Sequence, residues 1–308
     1  MILVINLNAS VDKRYDMVEL TKGEVMRAKA VDNTPGGKGL HVANVATILG
    51  EDCVATGLLG GKSGEFIAEK IRKYGIAQDF VQIAGETRSC LAIITEDGTQ
   101  TEILEPGPSV SEAEQQAFLK KYQELIKKAD VIVASGSVPR NVPKDFYRIL
   151  IEIAREYDKK FLLDTSGDLL KHGIAAKPYF IKPNKDEIKA LTGRKVEMQA
   201  EVIAEVKNFM QGGIALAAVS LGAEGSIVGY QDKIYKVTVP KIEAVNPVGS
   251  GDAYVAGMAI GLQRKYDIVD TIKLAAACGT ANALEAESGF VTKHVVEDLI
   301  DKIRVEEI

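Results

Sequence analysis

Short apolar runs alternate with longer amphipathic segments along the chain. The runs hold few charges, as in ILVIN at 2–6, DVIVAS at 130–135 and IALAAVSL at 214–221, and similar runs occur at 53–59, 160–164 and 179–184. Uninterrupted apolar strands are typical of a parallel sheet that is covered on both faces. Amphipathic helices are predicted between them, at 38–49, 64–74, 111–127, 143–157, 198–211, 251–264 and 268–286. The alternation predicts an α/β fold with a doubly wound, mostly parallel sheet flanked by helices.

Two segments, 10–33 and 86–105, depart from this alternation. The second contains RSCLAIITEDGTQTEILE, in which apolar and polar positions alternate on both sides of Asp97-Gly98. This pattern predicts a β-hairpin that turns at the Asp-Gly pair. We therefore expect a small β-sheet lid inserted into one domain that spans residues 1–308, because α/β folds of about 250–300 residues often form a single unit.

Composition and charge narrow the class of protein. The chain is 46% hydrophobic and 26% charged, with a net charge of −5 and a pI near 5.5. We therefore expect a globular protein without a basic surface for nucleic acids or anionic membranes. No apolar stretch approaches the roughly 18 residues of a membrane span, and MILVI is too short for the core of a signal peptide. Three separated cysteines without C-x-x-C spacing fit a reduced compartment, so the sequence predicts a cytoplasmic protein.

Asp252 stands at a predicted helix start, directly behind Gly249-Ser250-Gly251. The unpaired N–H groups of a first helical turn and the helix dipole attract anions, so a phosphoryl group could bind there. A carboxylate beside that group could accept the proton of an attacking hydroxyl. Aspartate in a first turn is also an ordinary capping residue, and its position alone favours that interpretation.

Four motifs change this balance. NPVGSGDAYVAG at 246–257 resembles the C-terminal signature of the ribokinase-like carbohydrate kinases of the phosphofructokinase B type, and TPGGKGLHVANVATILG at 34–50 resembles their N-terminal signature. KPNKDE at 182–187 is similar to their N-x-x-E motif, and VSLGAEGS at 219–226 to their nucleotide loop. The resemblance implies an ATP-dependent kinase in which Asp252 is the catalytic base and Gly249, Ser250 and Gly251 stabilise the transferred phosphoryl group.

The same resemblance assigns residues to the sugar. TRSCLAI and QTEILEPGP resemble the branch that acts on phosphorylated ketohexoses, which implies that cations clamp the phosphate already on the sugar. His41 replaces the asparagine usual in the family, and we expect it to be a packed or exposed helix residue. Tight turns, solvated charges and turn serines are the ordinary alternatives for these positions. The implied substrate residues are Asp12, Arg27, Gly36, Gly37, Lys38, Arg88 and Ser137.

The nucleotide side is implied in the same way. Asn184 and Glu187 would hold Mg²⁺ through water, a mode that suits a hard cation which retains its hydration. Their spacing equally fits a helix cap, with Asn184 at the N-cap and Glu187 three residues later. The residues implied to bind ATP are Lys182, Asn184, Glu187, Ser220, Gly222, Glu224, Gly225 and Asn282, with Ser288-Gly289 near the adenine.

Several alternatives bear on the function. The segment GLLGGKS at 57–63 resembles a Walker A loop but is one residue too short, so we expect a strand–turn–helix connection there. The residues of NPVGSGD and QTEILE most resemble kinases of tagatose 6-phosphate, which favours this acceptor over fructose 1-phosphate. A non-catalytic sugar-phosphate-binding regulator remains an alternative, whereas Arg88 disfavours a ribose or nucleoside kinase. The family resemblance also implies a homodimer in which the lids bury each other's apolar face.

Overall fold

The computed structural model describes all 308 residues and contains a large and a small β-sheet. The strands are β1 Ile2–Asn6, β2 Ser10–Met17, β3 Ala30–Gly36, β4 Cys53–Gly60, β5 Ala77–Gln78, β6 Val81–Ile83, β7 Arg88–Thr95, β8 Gln100–Leu104, β9 Val131–Ser135, β10 Lys160–Asp164, β11 Phe180–Ile181, β12 Leu216–Ser220, β13 Ser226–Tyr230, β14 Lys233–Thr238 and β15 Arg304–Glu307. The helices are α1 Lys38–Ile48, α2 Gly61–Lys73, α3 Glu112–Leu125, α4 Phe146–Glu156, α5 Gly167–Ala175, α6 Lys185–Thr192, α7 Gln199–Gln211, α8 Ser250–Gln263, α9 Ile268–Ala283 and α10 Lys293–Ile300.

The large sheet has the order β15-β14-β13-β12-β11-β10-β9-β1-β4-β5, and β6 also pairs with β4. Its central strands are parallel, and β1 lies between β4 and β9. Side chains of β1 alternate between the two faces: Ile2 and Val4 join one core with α1, α8 and α9, whereas Leu3 and Ile5 join the other with α3, α4 and α7. Because both faces are covered by helices, β1 is apolar at successive positions, which confirms the predicted doubly wound architecture.

Some elements differ from the sequence expectation. The run 179–184 contains only the two-residue strand Phe180–Ile181, because Pro183 has no N–H group to continue the ladder. Helices α5 and α10 and the antiparallel strands β14 and β15 were not among the predicted elements. The helix start expected at Asn184 is helix α6. No helix is long and apolar enough to cross a membrane.

The small sheet is the predicted lid. Its order is β3-β2-β7-β8, with β2 parallel to β7 and antiparallel to β3. The hairpin between β7 and β8 turns at Asp97-Gly98, where Gly98 has a φ of 81° that favours glycine. The predicted hairpin is therefore confirmed. Several large apolar side chains are exposed in the lid and in the loop that joins β2 to β3, namely Val18, Leu20, Val25, Val31, Ile103 and Leu104.

The Walker-like segment 57–63 is a strand–helix junction, as predicted. Strand β4 ends at Gly60 and helix α2 begins at Gly61 without an intervening loop. The Glu86 carboxylate accepts hydrogen bonds from the backbone N–H groups of Lys62 (3.2 Å) and Ser63 (2.6 Å). Because the chain's own carboxylate already caps these donors, this helix start is not a phosphate site.

Candidate active site

A cleft of about 1350 Å³ lies between the lid and the carboxyl ends of the parallel strands. This is where ligands bind in open α/β sheets. The cleft brings together most of the residues assigned from sequence: Asp12, Gly37, Lys38, Arg88, Ser137, Lys182, Asn184, Glu187, Ser220, Gly222, Glu224, Gly225, Gly249, Ser250, Gly251 and Asp252. Distant parts of the chain therefore meet at one site.

Four assigned residues lie outside the cleft lining: Arg27, Gly36, Asn282 and Gly289, whereas Ser288 lines it. Arg27 is exposed in the segment between β2 and β3, so it does not reach the cleft of its own chain. Asn282 is fully buried, where its amide donates to Val248 O (2.9 Å) and accepts from Gly289 N (2.8 Å). Both ends of the Asn282 amide are thus used to fix a loop, and its role as a nucleotide contact stays a prediction. Gly36 lies behind Asp12, where a Cβ atom would overlap the carboxylate.

The start of helix α8 is built to receive an anion. Gly249 adopts a left-handed conformation (φ 85°) as the N-cap, and no side chain caps the helix. The backbone N–H groups of Gly251 and Asp252 have no acceptor in the protein. A Cβ on Gly251 would lie 3.2 Å from the Lys182 ammonium, so a cation stands beside these donors. Unpaired N–H groups, the helix dipole and an ammonium together suit a phosphoryl group.

Asp252 is buried at this helix start, with a side chain that is 8% exposed. Its Oδ2 atom lies 2.8 Å from Nδ1 of His41 on helix α1. The interpretation of His41 as an ordinary packed or exposed helix residue was therefore incomplete, because the ring contacts the candidate base directly. The motif departure at this position was the signal in the sequence.

Asp12 faces the same part of the cleft from strand β2. Ser10 Oγ donates a hydrogen bond to Asp12 Oδ1 (2.6 Å), which orients the carboxylate. Burial raises the pKa of Asp12, although the charges of His41 and Arg88 and the Ser10 hydrogen bond oppose this shift. An oriented carboxylate is a strong acceptor for two hydroxyl groups, as sugar binding requires.

Sequence reasoning missed Asp164, the last residue of strand β10. Its buried carboxylate lies 3.3 Å from the ammonium of Lys38 and 3.3 Å from that of Lys182. Burial alone would raise the pKa of Asp164, but the charges of Lys182 and Lys38 lower it. The pKa of Lys38 is raised mainly by Asp164. Asp164 thus holds together two cations of the cleft, Lys38 and Lys182. Its place at the end of an apolar run was the available signal in the sequence.

Asn184 and Glu187 form the helix cap that the sequence left open as an alternative. Asn184 Oδ1 accepts from Glu187 N (2.8 Å), and Glu187 Oε2 accepts from Asn184 N (2.9 Å). Glu187 Oε1 is therefore the one acceptor oxygen of the two side chains that takes no part in the cap. No group of three or more metal-ligating side chains occurs in the structure. This donor set fits a magnesium ion that is held through water and substrate phosphates, with Glu187 contributing through water.

The fold and the cleft define a ribokinase-like phosphotransferase. A family model of the pfkB carbohydrate kinases matches residues 3–293, so the chain belongs to the pfkB family of carbohydrate kinases. Kinases of this family use ATP, and the protein is an enzyme that phosphorylates a carbohydrate.

Solved structures agree with this assignment. A Staphylococcus aureus protein provisionally named a phosphofructokinase is 30% identical, with a TM-score of 0.87, and the match covers 100% of this chain and 99% of the other. A Thermotoga maritima protein provisionally named a 1-phosphofructokinase is 26% identical, with a TM-score of 0.90 and the same coverage. Escherichia coli phosphofructokinase-2 in complex with potassium is 24% identical, with a TM-score of 0.91 and coverage of 97% and 98%, and shows the shared fold.

Proposed function

We propose that the enzyme transfers the γ-phosphate of ATP to a primary hydroxyl of a ketohexose phosphate, with tagatose 6-phosphate as the preferred acceptor. The observation that carries the proposal is the placement of Asp252 at the unpaired N–H groups of helix α8, inside a cleft that also contains Arg88. The helix start offers N–H donors to a transferred phosphoryl group, and Arg88 in the same cleft offers a guanidinium to a second phosphate.

Each residue of the cleft has its own role in the proposed phosphoryl transfer. Asp252 accepts the proton of the attacking hydroxyl. The oxygen thereby becomes a stronger nucleophile toward the γ-phosphate. The transferred phosphoryl group is stabilised in the transition state by the N–H groups of Gly251 and Asp252 and by the Lys182 ammonium. Magnesium, when bound near Glu187 and Asn184, would neutralise phosphate charge. The glycine turns around Ser220, including Gly222 at φ 61° and Gly225 at φ 93°, leave space for the nucleotide.

The acceptor phosphate is assigned to Arg88, Lys38 and Ser137. Arg88 donates from Nε to Asn8 O (3.2 Å) and from Nη1 to Glu105 O (2.7 Å), so the guanidinium is held in place while Nη2 remains available. Asn8 also donates to Ser137 Oγ (3.0 Å), which fixes the serine beside the arginine. A preorganised guanidinium is well suited to a phosphate dianion.

The choice of sugar rests on the residues of two motifs. The NPVGSGD turn and the QTEILE segment support tagatose 6-phosphate, whereas the Thermotoga relative, whose provisional name is 1-phosphofructokinase, supports fructose 1-phosphate as the second candidate. A coupled assay of ADP release should give the highest kcat/KM for tagatose 6-phosphate. A higher value for fructose 1-phosphate would transfer the assignment to that sugar, and equal values would indicate a broad enzyme.

Replacing Arg88 by glutamine is expected to raise the KM for the sugar phosphate about 10- to 100-fold and to leave the KM for ATP unchanged. A charge-assisted hydrogen bond to phosphate contributes about 1.5–3 kcal/mol, and glutamine keeps polarity without charge. Steady-state kinetics with each substrate varied in turn checks the result. Arg155→Gln is the matched control, because Arg155 is an exposed arginine on helix α4 outside the cleft. An unchanged KM for the sugar phosphate in R88Q would contradict the assignment.

The exposed apolar side chains of the lid support a homodimer in which two lids cover each other. Ile103 and Leu104 are 51% and 63% exposed on the edge strand β8, and Val31 is 52% exposed on the edge strand β3. Unpaired edges with apolar side chains favour pairing with another chain. Light scattering at micromolar concentration should give the mass of a dimer, and the double variant Ile103→Lys/Leu104→Lys should shift it toward monomer. A monomeric wild-type protein would contradict the proposal.

A further inference from the structure

His41 connects two carboxylates that face the proposed acceptor. Its Nδ1 atom lies 2.8 Å from Oδ2 of Asp252, and its Nε2 atom lies 4.0 Å from Oδ2 of Asp12. The ring is 13% exposed and packs under the loop at Gly289, where a Cβ atom would overlap it. An asparagine side chain, which the similar motif usually has here, is too short to span both carboxylates.

The contact with Asp252 determines the hydrogen positions on the ring. A carboxylate oxygen accepts at 2.8 Å only if Nδ1 carries the hydrogen. Nε2 therefore bears a second hydrogen only when the imidazole is protonated. A separation of 4.0 Å between Nε2 and Asp12 is too long for a hydrogen bond, but a hydroxyl oxygen can lie within hydrogen-bond reach of both atoms.

We propose that His41 is a positioning residue that orients Asp252 through Nδ1 and, in its protonated form, donates through Nε2 to the sugar hydroxyl that Asp12 accepts. The proposal rests on the proposed sugar-phosphate kinase function. The hydroxyl has a single hydrogen, which it donates to Asp12. When His41 is neutral, Nε2 presents a lone pair instead, so the same hydroxyl faces two acceptors and one contact is lost.

The charges around the ring favour the protonated form. Burial lowers the pKa of His41, but the hydrogen bond and charge of Asp252, together with the charges of Asp12 and Glu287, outweigh it and raise the pKa above its ordinary value near 6.5. The groups that face or flank the ring are Asp252 on α8, Asp12 on β2, Glu287 after α9, Lys38 on α1, and Asp32 on β3 and Lys70 on α2 beside Glu287. The affinity for the sugar should therefore decline as the pH rises through this raised pKa.

Two substitutions separate the two ring nitrogens. His41→Asn keeps an amide donor near Nδ1 and removes the group at Nε2, whereas His41→Gln places an amide near Nε2 and removes the group at Nδ1. For H41N we expect a kcat within about threefold of wild type, a KM for the sugar phosphate raised about tenfold near pH 6.5, and no further rise at alkaline pH. For H41Q we expect a KM that is close to the wild-type value near pH 6.5 and does not rise at alkaline pH, with kcat lowered about tenfold.

The kinetic test measures KM and kcat of wild type, H41N and H41Q between about pH 6 and 9. His172→Asn is the control, because His172 is exposed near the end of helix α5, and it should match wild type throughout. Thermal unfolding verifies that each variant is folded. The proposal is overturned if H41N retains the wild-type KM, or if the alkaline rise of KM persists in that variant.

A second measurement needs no substrate and so separates this proposal from the proposed function. With three histidines in the chain, imidazole NMR titration can be assigned by comparing wild type with H41N. His41 should titrate above about pH 6.5 in the free enzyme, and its midpoint should fall in Asp252→Asn and in Asp12→Asn. A midpoint that neither substitution lowers would overturn the coupling. If the titration behaves as expected but no sugar phosphate is phosphorylated, the proposed function fails instead.

Discussion

Replacement of Asp252 by asparagine is expected to lower kcat by about 10²- to 10⁴-fold, with little change in the free energy of unfolding. General-base assistance is of this size, and an amide cannot accept the hydroxyl proton. Asparagine preserves the shape of the side chain, and its Oδ1 atom can still accept the His41 hydrogen bond. Steady-state kinetics and thermal unfolding, measured on the same preparation, check both parts of this result.

The control for Asp252→Asn is Asp270→Asn. Asp270 is also an aspartate in the first turn of a helix, α9, but it does not line the cleft. It should retain wild-type kcat, because it has no contact with the reacting groups. If D252N retained near-normal kcat, or if both variants lost activity equally, Asp252 would be a structural first-turn residue and the assignment of the base would be wrong.

Replacement of Asp164 by asparagine is expected to lower the free energy of unfolding by about 3 kcal/mol or more. The carboxylate is 1% exposed, and its partner Lys182 is 8% exposed, so the substitution leaves a buried ammonium without a counter-charge. Lys38 adds less, because its side chain is 43% exposed and its charge is screened by water. Chemical denaturation checks the value. Activity should also fall, since both lysines line the cleft.

The effect of D164N should depend on pH in a defined direction. Because the folded-state pKa of Asp164 is lowered, its stabilisation is present above the unfolded value near 3.9 and is lost as the pH falls through the folded value. The difference between wild type and D164N should therefore shrink in acid. Asp130→Asn is the control: Asp130 pairs with the N-terminus at 64% exposure and should change stability by less than about 1 kcal/mol. Equal losses in the two variants would contradict the account.

The architecture was predictable where one local pattern determines one element. ILVIN became the buried central strand β1, because a strand covered on both faces needs apolar residues at successive positions. Asp97-Gly98 became a hairpin turn, because the glycine conformation is encoded locally. The run 179–184 was misjudged, because the pattern counts apolar residues and the effect of Pro183 on the ladder was not weighed.

The site was predictable as a set of residues but not as a set of contacts. The motifs named Asp252, Lys182 and Arg88, which the structure brings to one cleft. Single motifs carry no information about pairs from distant segments, so the contact between His41 and Asp252 across 211 positions stayed hidden. The hydrogen bonds by which Asn282 fixes the loop between Val248 and Gly289 were hidden for the same reason.

The central claim is that this cleft phosphorylates a sugar that already carries a phosphate. Its most direct test is kcat/KM with ATP for tagatose 6-phosphate, fructose 1-phosphate and fructose 6-phosphate, compared with unphosphorylated tagatose, fructose and ribose. The account predicts that a phosphorylated ketohexose exceeds every unphosphorylated sugar by about 100-fold or more, since Arg88 and Lys38 stabilise only the former. Comparable rates with ribose, or binding of ADP and sugar phosphate without turnover, would contradict it.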